Sequence, residues 1–410
     1  MSYVDRTLQN TVEQASRSFP VVLITGPRQV GKTSMLQAML QRPRSYITLD
    51  DPIERSLARE DPELFLQTHQ APILIDEIQY APELFPYIKM EVDRARLPGT
   101  FWLTGSQQFH LMKNVSESLA GRVAILSLLG FSLAEESGNA ASSKPFLPEP
   151  DEIKTRSASA RTMLLEETYE KIWRGAFPFM VLAGSKDWEI FYRSYVQSYL
   201  QRDVRDFAQI GDELSFIKFL RAAAARTGQL INYADLARDV NVSQPTIKSW
   251  INILIATGLV YILEPYHTNQ TKRLVKTPKL YFLDTGLCCY LSGWSNSKVL
   301  ERGAMSGAML ETYVIGEVVK SYWHNGRNAP IFFYRDRDQK EIDLVIEQNG
   351  MLYPIEIKKA AAPGRESITN FQSLDKLPIP KGHGAVICLR ERHIPLSRDV
   401  DAVPVAYLSC

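Results

Sequence analysis

Cysteine is scarce, with four in 410 residues, and those stand as one adjacent pair, Cys288 and Cys289, and two isolated residues, Cys388 and Cys410. No CxxC or Cys/His spacing connects them, which argues against a zinc module or a disulfide scaffold and fits a reducing compartment. Long apolar runs are also missing. The opening stretch MSYVDRTLQNTVEQASRSF is polar, and nothing approaches the length that crosses a bilayer. These absences predict a cytoplasmic protein with no membrane partner. Net charge is close to nil, at +1, so any contact with nucleic acid has to come from local basic patches. Internal repeats and low-complexity tracts are absent too. What remains, 45% hydrophobic and 23% charged residues, is the composition of folded globular protein, and the length exceeds what one core usually supports.

Short apolar runs alternate with helix-like segments from Pro20 to about Glu135: PVVLITG, SYITLDD, APILIDEIQ, TFWLTGS and RVAILSL. Buried parallel strands crossed by helices give this pattern, so residues 1–135 read as an α/β domain. Residues 136–160, rich in Ser, Ala, Pro and charge, read as a linker or surface loop. A helical stretch and then a compact three-helix pattern with two strands fill 161–295, and 296–410 returns to α/β.

The segment GPRQVGKT follows the apolar VVLIT and precedes SMLQAMLQ, so the string GxxxxGK[ST] sits in its required strand-loop-helix context. Glycines let backbone N–H groups close around phosphate oxygens, and the helix N-terminus favours the anion. The expected nucleotide contacts are Gly26, Pro27, Arg28, Gln29, Val30, Gly31, Lys32 and Thr33, with Ser34 just inside the helix. Lys32 reaches the β and γ phosphates of ATP, and Thr33 is a ligand to Mg²⁺. The strand ILIDE ends in Asp76, expected to hold magnesium directly or through water, and Glu77, expected to orient and polarise the attacking water; capping or pairing is the alternative role for this carboxylate. The strand TFWLTGS ends in Thr104 and Ser106, candidates to sense the γ phosphate.

These stretches, with ITLDDP, SESLAGRVAIL, IWRGAFP, SYLQRDV, KLYFLDTGL and the closing EIDLVIEQNG and IEIKK, resemble the AAA-type ATPases of bacteria and archaea that carry a C-terminal domain of unassigned function. The resemblance implies an ATPase that is compatible with a homo-oligomer. It also implies an arginine that steadies the transferring phosphoryl group. Arg122 is the first candidate and Arg28 the second; a surface ion pair is the alternative role for each.

Three helices are expected in ELSFIKFLRAAAART, NYADLARDV and SQPTIKSWINILIATG, the last capped by Ser243 and closed by Gly258. The short turn between the second and third fits a helix-turn-helix, and the flanking strands make it winged. Ile247, Ile251, Leu254 and Ile255 are expected in the core, leaving Gln244, Thr246, Lys248 and Asn252 to approach a DNA major groove. The wing TNQTKRLVKTPK offers Lys272, Arg273, Lys276 and Lys279 to phosphates, the alternative being a structural spacer whose basic run is only a solvated face.

Asn349-Gly350 joins the alternating runs EIDLVIEQ and MLYPIEIK, a strong hairpin signal. Counting outward from that turn, Gln348 faces Met351 and Asp343 faces Glu356. Like charges directly opposed destabilise a hairpin, and either a divalent cation between them or a proton on one carboxylate removes the conflict. Lys358 falls on the Glu356 face. In the same register it also faces Glu341, so a cross-strand salt bridge is its alternative role.

This D…ExK arrangement resembles the PD-(D/E)XK nucleases. That resemblance implies Mg²⁺ held by Asp343 and Glu356, with Lys358 handling water or developing charge, and a further acid from the preceding helix. Glu311, on the apolar stripe of GAMLETYVIGEVVK, is the choice, with Glu317 taken as an exposed residue. Arg335 and Arg337 are added as phosphate contacts. The fold class expected is therefore a P-loop AAA-type parallel-sheet domain, an all-α winged-helix region and an α/β PD-(D/E)XK nuclease-like domain. The function expected is ATP-dependent action on DNA. The alternatives are a nucleotide-dependent DNA-binding switch with an inactive nuclease-like scaffold, or an ATPase acting on a protein partner.

Overall fold

The computed structural model describes all residues except 1–2, 41–42, 107–114, 116, 200–212 and 270–275. Lys272 and Arg273 of the expected wing, and residues 200–204 of the SYLQRDV motif, lie outside the described residues. Among the described residues, no helix is long and apolar enough to cross a membrane.

The first sheet contains β1 (Val21–Thr25), β2 (Ser45–Thr48), β3 (Ile73–Asp76), β4 (Phe101–Thr104) and β5 (Val123–Ser127) in the order β2-β3-β4-β1-β5, all parallel. Strands β1, β3 and β4 are buried along their whole length, as their unbroken apolar runs require. The chain next enters a segment that composition assigned to a linker or surface loop. Residues 137–149 carry no helix or strand, in keeping with the surface-loop alternative, yet the segment is packed against the rest of the chain. A helix covers Pro150–Ser159, Phe146 is fully buried, and Arg156, 2% exposed, donates to the carbonyl oxygens of Tyr407 at 3.0 Å and Lys144 at 3.1 Å. A guanidinium that satisfies carbonyls far apart in sequence holds a Ser- and Ala-rich segment in place without an apolar stripe of its own.

The helical trio forms as expected: Glu213–Ala224, Tyr233–Val240 and Gln244–Ala256, with Asn241 left-handed at the turn and the Ser243 hydroxyl accepting from the Thr246 amide at 3.2 Å. It packs with a three-stranded sheet of order β6-β8-β7, in which β6 is Gln229–Leu230, β7 Val260–Leu263 and β8 Lys279–Phe282. Ile247, Ile251 and Leu254 are buried, whereas Ile255 is 40% exposed, so it leaves the expected core set; Trp250 and Ile253 take its place.

The C-terminal sheet has order β13-β14-β12-β11-β10-β9, with β9 Ile331–Arg335, β10 Glu341–Gln348, β11 Met351–Lys358, β12 Gly384–Cys388, β13 Ile394–Ser397 and β14 Val400–Pro404. The helix Ser306–Trp323 crosses it and is buried almost all round. One apolar core runs from Leu8 and Val12 through Trp173 and Leu254 to Val314 and Leu408, joining all three regions.

Candidate functional site

Two clusters of chemistry-bearing residues stand out. The first surrounds the loop between β1 and the helix Lys32–Ala38. Gly26, Gln29 and Gly31 have φ of 140°, 61° and 89°, a succession that turns backbone N–H groups toward one concavity. At Gly26 a Cβ would stand 2.0 Å from the Leu128 carbonyl oxygen, so no other residue fits there. Lys32, 5% exposed, folds back and donates to the carbonyl oxygens of Gly26 at 3.0 Å and Pro27 at 2.8 Å. A phosphate in the loop would offer this ammonium anionic acceptors in place of neutral ones.

The ends of β3 and β4 meet the start of that helix. Thr33 Oγ1 donates to Asp76 Oδ1 at 2.7 Å, and the Thr104 hydroxyl donates to the same oxygen. Burial raises the Asp76 pKa, while Thr104 and Thr33 act against that. Glu77 is left-handed at φ 56°, its amide donates to Thr104 Oγ1 at 3.1 Å, and its carboxylate accepts from Gln79 and from Ser106 Oγ at 3.3 Å. Arg28, Gln29, Gly31, Lys32, Thr33, Ser34 and Glu77 line one cleft of about 630 Å³, with Pro178 and Ser198 on its far wall. Val30 turns inward, and its carbonyl accepts from Arg6 Nη1 at 2.8 Å. Arg6 is a brace that the sequence reading missed. It also donates to the Leu129 carbonyl at 2.7 Å and pairs with buried Glu135 at 3.1 Å. Arg122 stands apart from this cleft: it forks onto Asp93 with contacts of 2.6 and 3.1 Å on the surface, taking the ion-pair role.

The helical region touches the phosphate loop directly. Gly258, left-handed at φ 71° after the third helix, lies so near that a Cβ would be 3.1 Å from Pro27 Cδ. Gln244, Lys248 and Asn252 are exposed on that helix; Thr246 is half-buried, its hydroxyl 2.8 Å from that of Ser243. Lys276 is exposed, but Lys279 is 4% exposed and turns into the C-terminal domain, so it offers nothing to a phosphate on the surface.

The second cluster lies on β10 and β11. Their register pairs Gln348 with Met351 and Leu344 with Ile355, ending one step before Asp343 and Glu356, and the Asp343 charge acts on the Glu356 carboxyl. Asp343 Oδ2 accepts from the Ile357 amide at 2.8 Å. Lys358 Nζ donates to Glu356 Oε1 at 2.6 Å, whereas Glu356 Oε2 is buried without a hydrogen-bond partner. Lys358 therefore does not take Glu341, whose carboxylate goes to Lys279 at 2.6 Å and lies 3.7 Å from Arg335. Burial, then the Asp343 charge, pushes the Glu356 pKa up to about 7, and burial raises that of Asp343 as well. Glu311, from the crossing helix, has its pKa raised by burial and then by Asp343. Its Oε1 accepts from Tyr281 Oη at 2.5 Å and lies 3.3 Å from Lys279 Nζ.

The donor set is all carboxylate, which suits a hard divalent ion, and the orphaned Glu356 oxygen is an open ligand position. Among the described residues, however, no three His, Cys, Asp or Glu side chains are gathered closely enough to hold a metal as they stand. Glu317 is corrected: at 3% exposure it is buried, accepts from Lys320 Nζ at 2.7 Å and from the Leu133 amide at 2.7 Å, and fastens the crossing helix to the first domain.

A phosphate loop between a parallel strand and a helix, backed by Asp76 and Glu77 at a neighbouring strand end, defines a P-loop protein of the AAA class. Residues 18–136 match the family described as AAA domain, and 165–298 and 306–408 match two domains of unknown function, DUF8612 and DUF4143. The chain belongs to the family of AAA-domain proteins with a C-terminal DUF4143 domain, shared with uncharacterized proteins Rv2008c of Mycobacterium tuberculosis and Mb2031c of Mycobacterium bovis. Each is 31% identical over 399 residues, which is 96% of this chain and 82% of the relative. Among solved structures it is similar to the Walker-type ATPase PABY2304 of Pyrococcus abyssi, at 17% identity and a TM-score of 0.44, over 69% of this chain and 94% of that one.

Proposed function

We propose that the chain binds and hydrolyses ATP with Mg²⁺ and acts on DNA, through a winged helix built on Gln244–Ala256 and a nuclease-like C-terminal domain. In this reading Lys32 and the loop N–H groups hold the phosphates, Thr33 and Asp76 hold Mg²⁺, and Glu77 orients water, with Thr104 and Ser106 beside it. Asp343 and Glu356 hold a second divalent ion, which when bound supplies an activated water and charge stabilisation at a phosphodiester. Lys358, half-buried on the same face, donates to whatever charge develops beside Glu356. Exposed Gln244, Lys248 and Asn252 approach the DNA, with Lys276, Arg335 and Arg337 as phosphate contacts.

The observation that carries the DNA-acting part is the buried, partnerless Glu356 oxygen beside Asp343. A buried carboxylate oxygen without a donor costs free energy, and a cation in that place removes the cost. A second reading, a nucleotide-dependent DNA-binding switch with an inactive nuclease-like scaffold, is favoured by Glu311 being held by Tyr281 and Lys279. The test is supercoiled DNA incubated with the full chain, Mg²⁺ or Mn²⁺, and ATP or none, against Asp343→Ala and Lys358→Ala. Metal-dependent cleavage lost in both variants is the expected result. Cleavage that survives both refutes the site. No cleavage by wild type in any nucleotide state favours the switch. ATP hydrolysis that DNA neither binds to nor stimulates moves the substrate to a protein partner.

A further inference from the structure

Lys279 begins β8, a strand of the three-stranded sheet beside the helical trio, yet its ammonium ends inside the acidic cluster of the C-terminal domain. It lies 2.6 Å from Glu341 Oε1 and 3.3 Å from Glu311 Oε1, with the Phe333 ring centroid 5.5 Å away. Tyr281, two residues on and on the same strand face, donates to that Glu311 oxygen at 2.5 Å. Burial disfavours an ammonium ion, and Glu311 and Glu341 reverse that preference. Four carboxylates, Glu311, Glu341, Asp343 and Glu356, thus share two lysines, with Arg335 3.7 Å from Glu341 at the edge of the cluster. Lys358 serves Glu356 from within the hairpin, while Lys279 arrives from another unit of the chain.

We propose that Lys279 is a tethered counter-cation of this site, which competes with a divalent ion for the Glu311 carboxylate and so sets how weakly the site takes metal. This rests on the reading of Asp343 and Glu356 as metal ligands. A monovalent charge fixed on a side chain occupies one oxygen of Glu311 that a divalent ion would otherwise use. Entry of the ion at Asp343 and Glu356 then has to displace Lys279 or do without Glu311. Without the lysine, an ion a few ångströms away feels one unit of repulsion less and gains one carboxylate more.

The experiment measures Mn²⁺ bound to the full chain at neutral pH, by the loss of the free-ion paramagnetic resonance signal, alongside the rise in Tm with Mn²⁺. Lys279→Gln is expected to bind Mn²⁺ about tenfold more tightly or better than wild type. Lys279→Gln combined with Glu341→Gln keeps the wild-type net charge, which guards against misfolding and against a mere gain of negative charge; about threefold tighter binding is expected there. Both gains disappear when Asp343→Asn is added. Wild-type affinity in both variants, with wild-type binding abolished by Asp343→Asn, overturns the role of Lys279 and leaves the metal reading standing. No Mn²⁺ bound by wild type or by either variant removes the metal reading, and the proposal with it. Binding confined to the variants and dependent on Asp343 supports both.

Discussion

Lys358 donates to one oxygen of Glu356 at 2.6 Å and leaves the other buried without a partner. A carboxylate so placed is half satisfied, and its protonation becomes a measure of how the acidic site is balanced.

The Glu356 pKa, pushed up to about 7, lies above the roughly 4.3 of an unfolded chain. Between those values the folded state holds a proton that the unfolded state has released. Stability is therefore highest below the unfolded value, falls as pH rises to about 7, and levels off above. Glu356→Gln abolishes this loss. The variant is expected to be more stable than wild type by roughly 1–3 kcal/mol above neutrality, with the advantage gone in acid. The lost pair with Lys358, whose side chain is 41% exposed, subtracts little. Urea midpoints across a pH series check the sign; a pH-independent difference contradicts it.

Glu77→Gln keeps a side chain able to meet Gln79 and Ser106 but takes away the carboxylate beside the phosphate loop. ATP turnover is expected to fall about 10²-fold or more, while ATP still binds within a few-fold of wild type. Lys32→Ala is the complement: it removes the buried ammonium that faces the loop, and nucleotide binding itself is lost. A fluorescent ATP analogue and a phosphate-release assay separate the two effects.

Asp284, buried at the start of the helix Thr285–Leu291, accepts from the amides of Ala176 and Leu287, each at 2.7 Å, and from Tyr192 Oη at 2.9 Å. Asp284→Ala leaves two buried amides, those of Ala176 and Leu287, unpaired at the junction of the helical region with residues 174–178, while Tyr192 Oη keeps the Arg174 carbonyl at 2.9 Å. A loss of about 2–4 kcal/mol is expected, read from urea denaturation; a loss below 1 kcal/mol means water takes the place of the carboxylate.

The elements whose logic is local were legible in the sequence. The phosphate loop needs residues 26–33 and their flanks, and the register of β10 with β11 needs only the Asn349-Gly350 turn. The cap at Ser243 and the turn at Asn241 are equally local. What was missed depends on docking between distant segments. Glu317 was set on a solvent face because helical periodicity presumes one exposed side, but the segment around Phe131 and Leu133 covers that side too. Lys279 looked like a wing cation because its sequence neighbours are basic, and only the folded chain brings Glu311 and Glu341 to it. Residues 136–160 carry too little apolar pattern to announce that Phe146 and Arg156 anchor them.

The apolar core that passes from Leu8 to Leu408 without a break makes the three family segments parts of one cooperative structure. Beads on a string would melt one by one. Here a cut between any two segments strips buried side chains from both sides of the cut, so each piece alone exposes an adhesive apolar face. Equilibrium unfolding of the intact chain should then follow one transition, the same by tryptophan fluorescence and by far-ultraviolet circular dichroism. Among the described residues the same core packs against both the phosphate loop and the far hairpin, so a rearrangement on nucleotide binding is expected to be a sliding or tilting of packed layers.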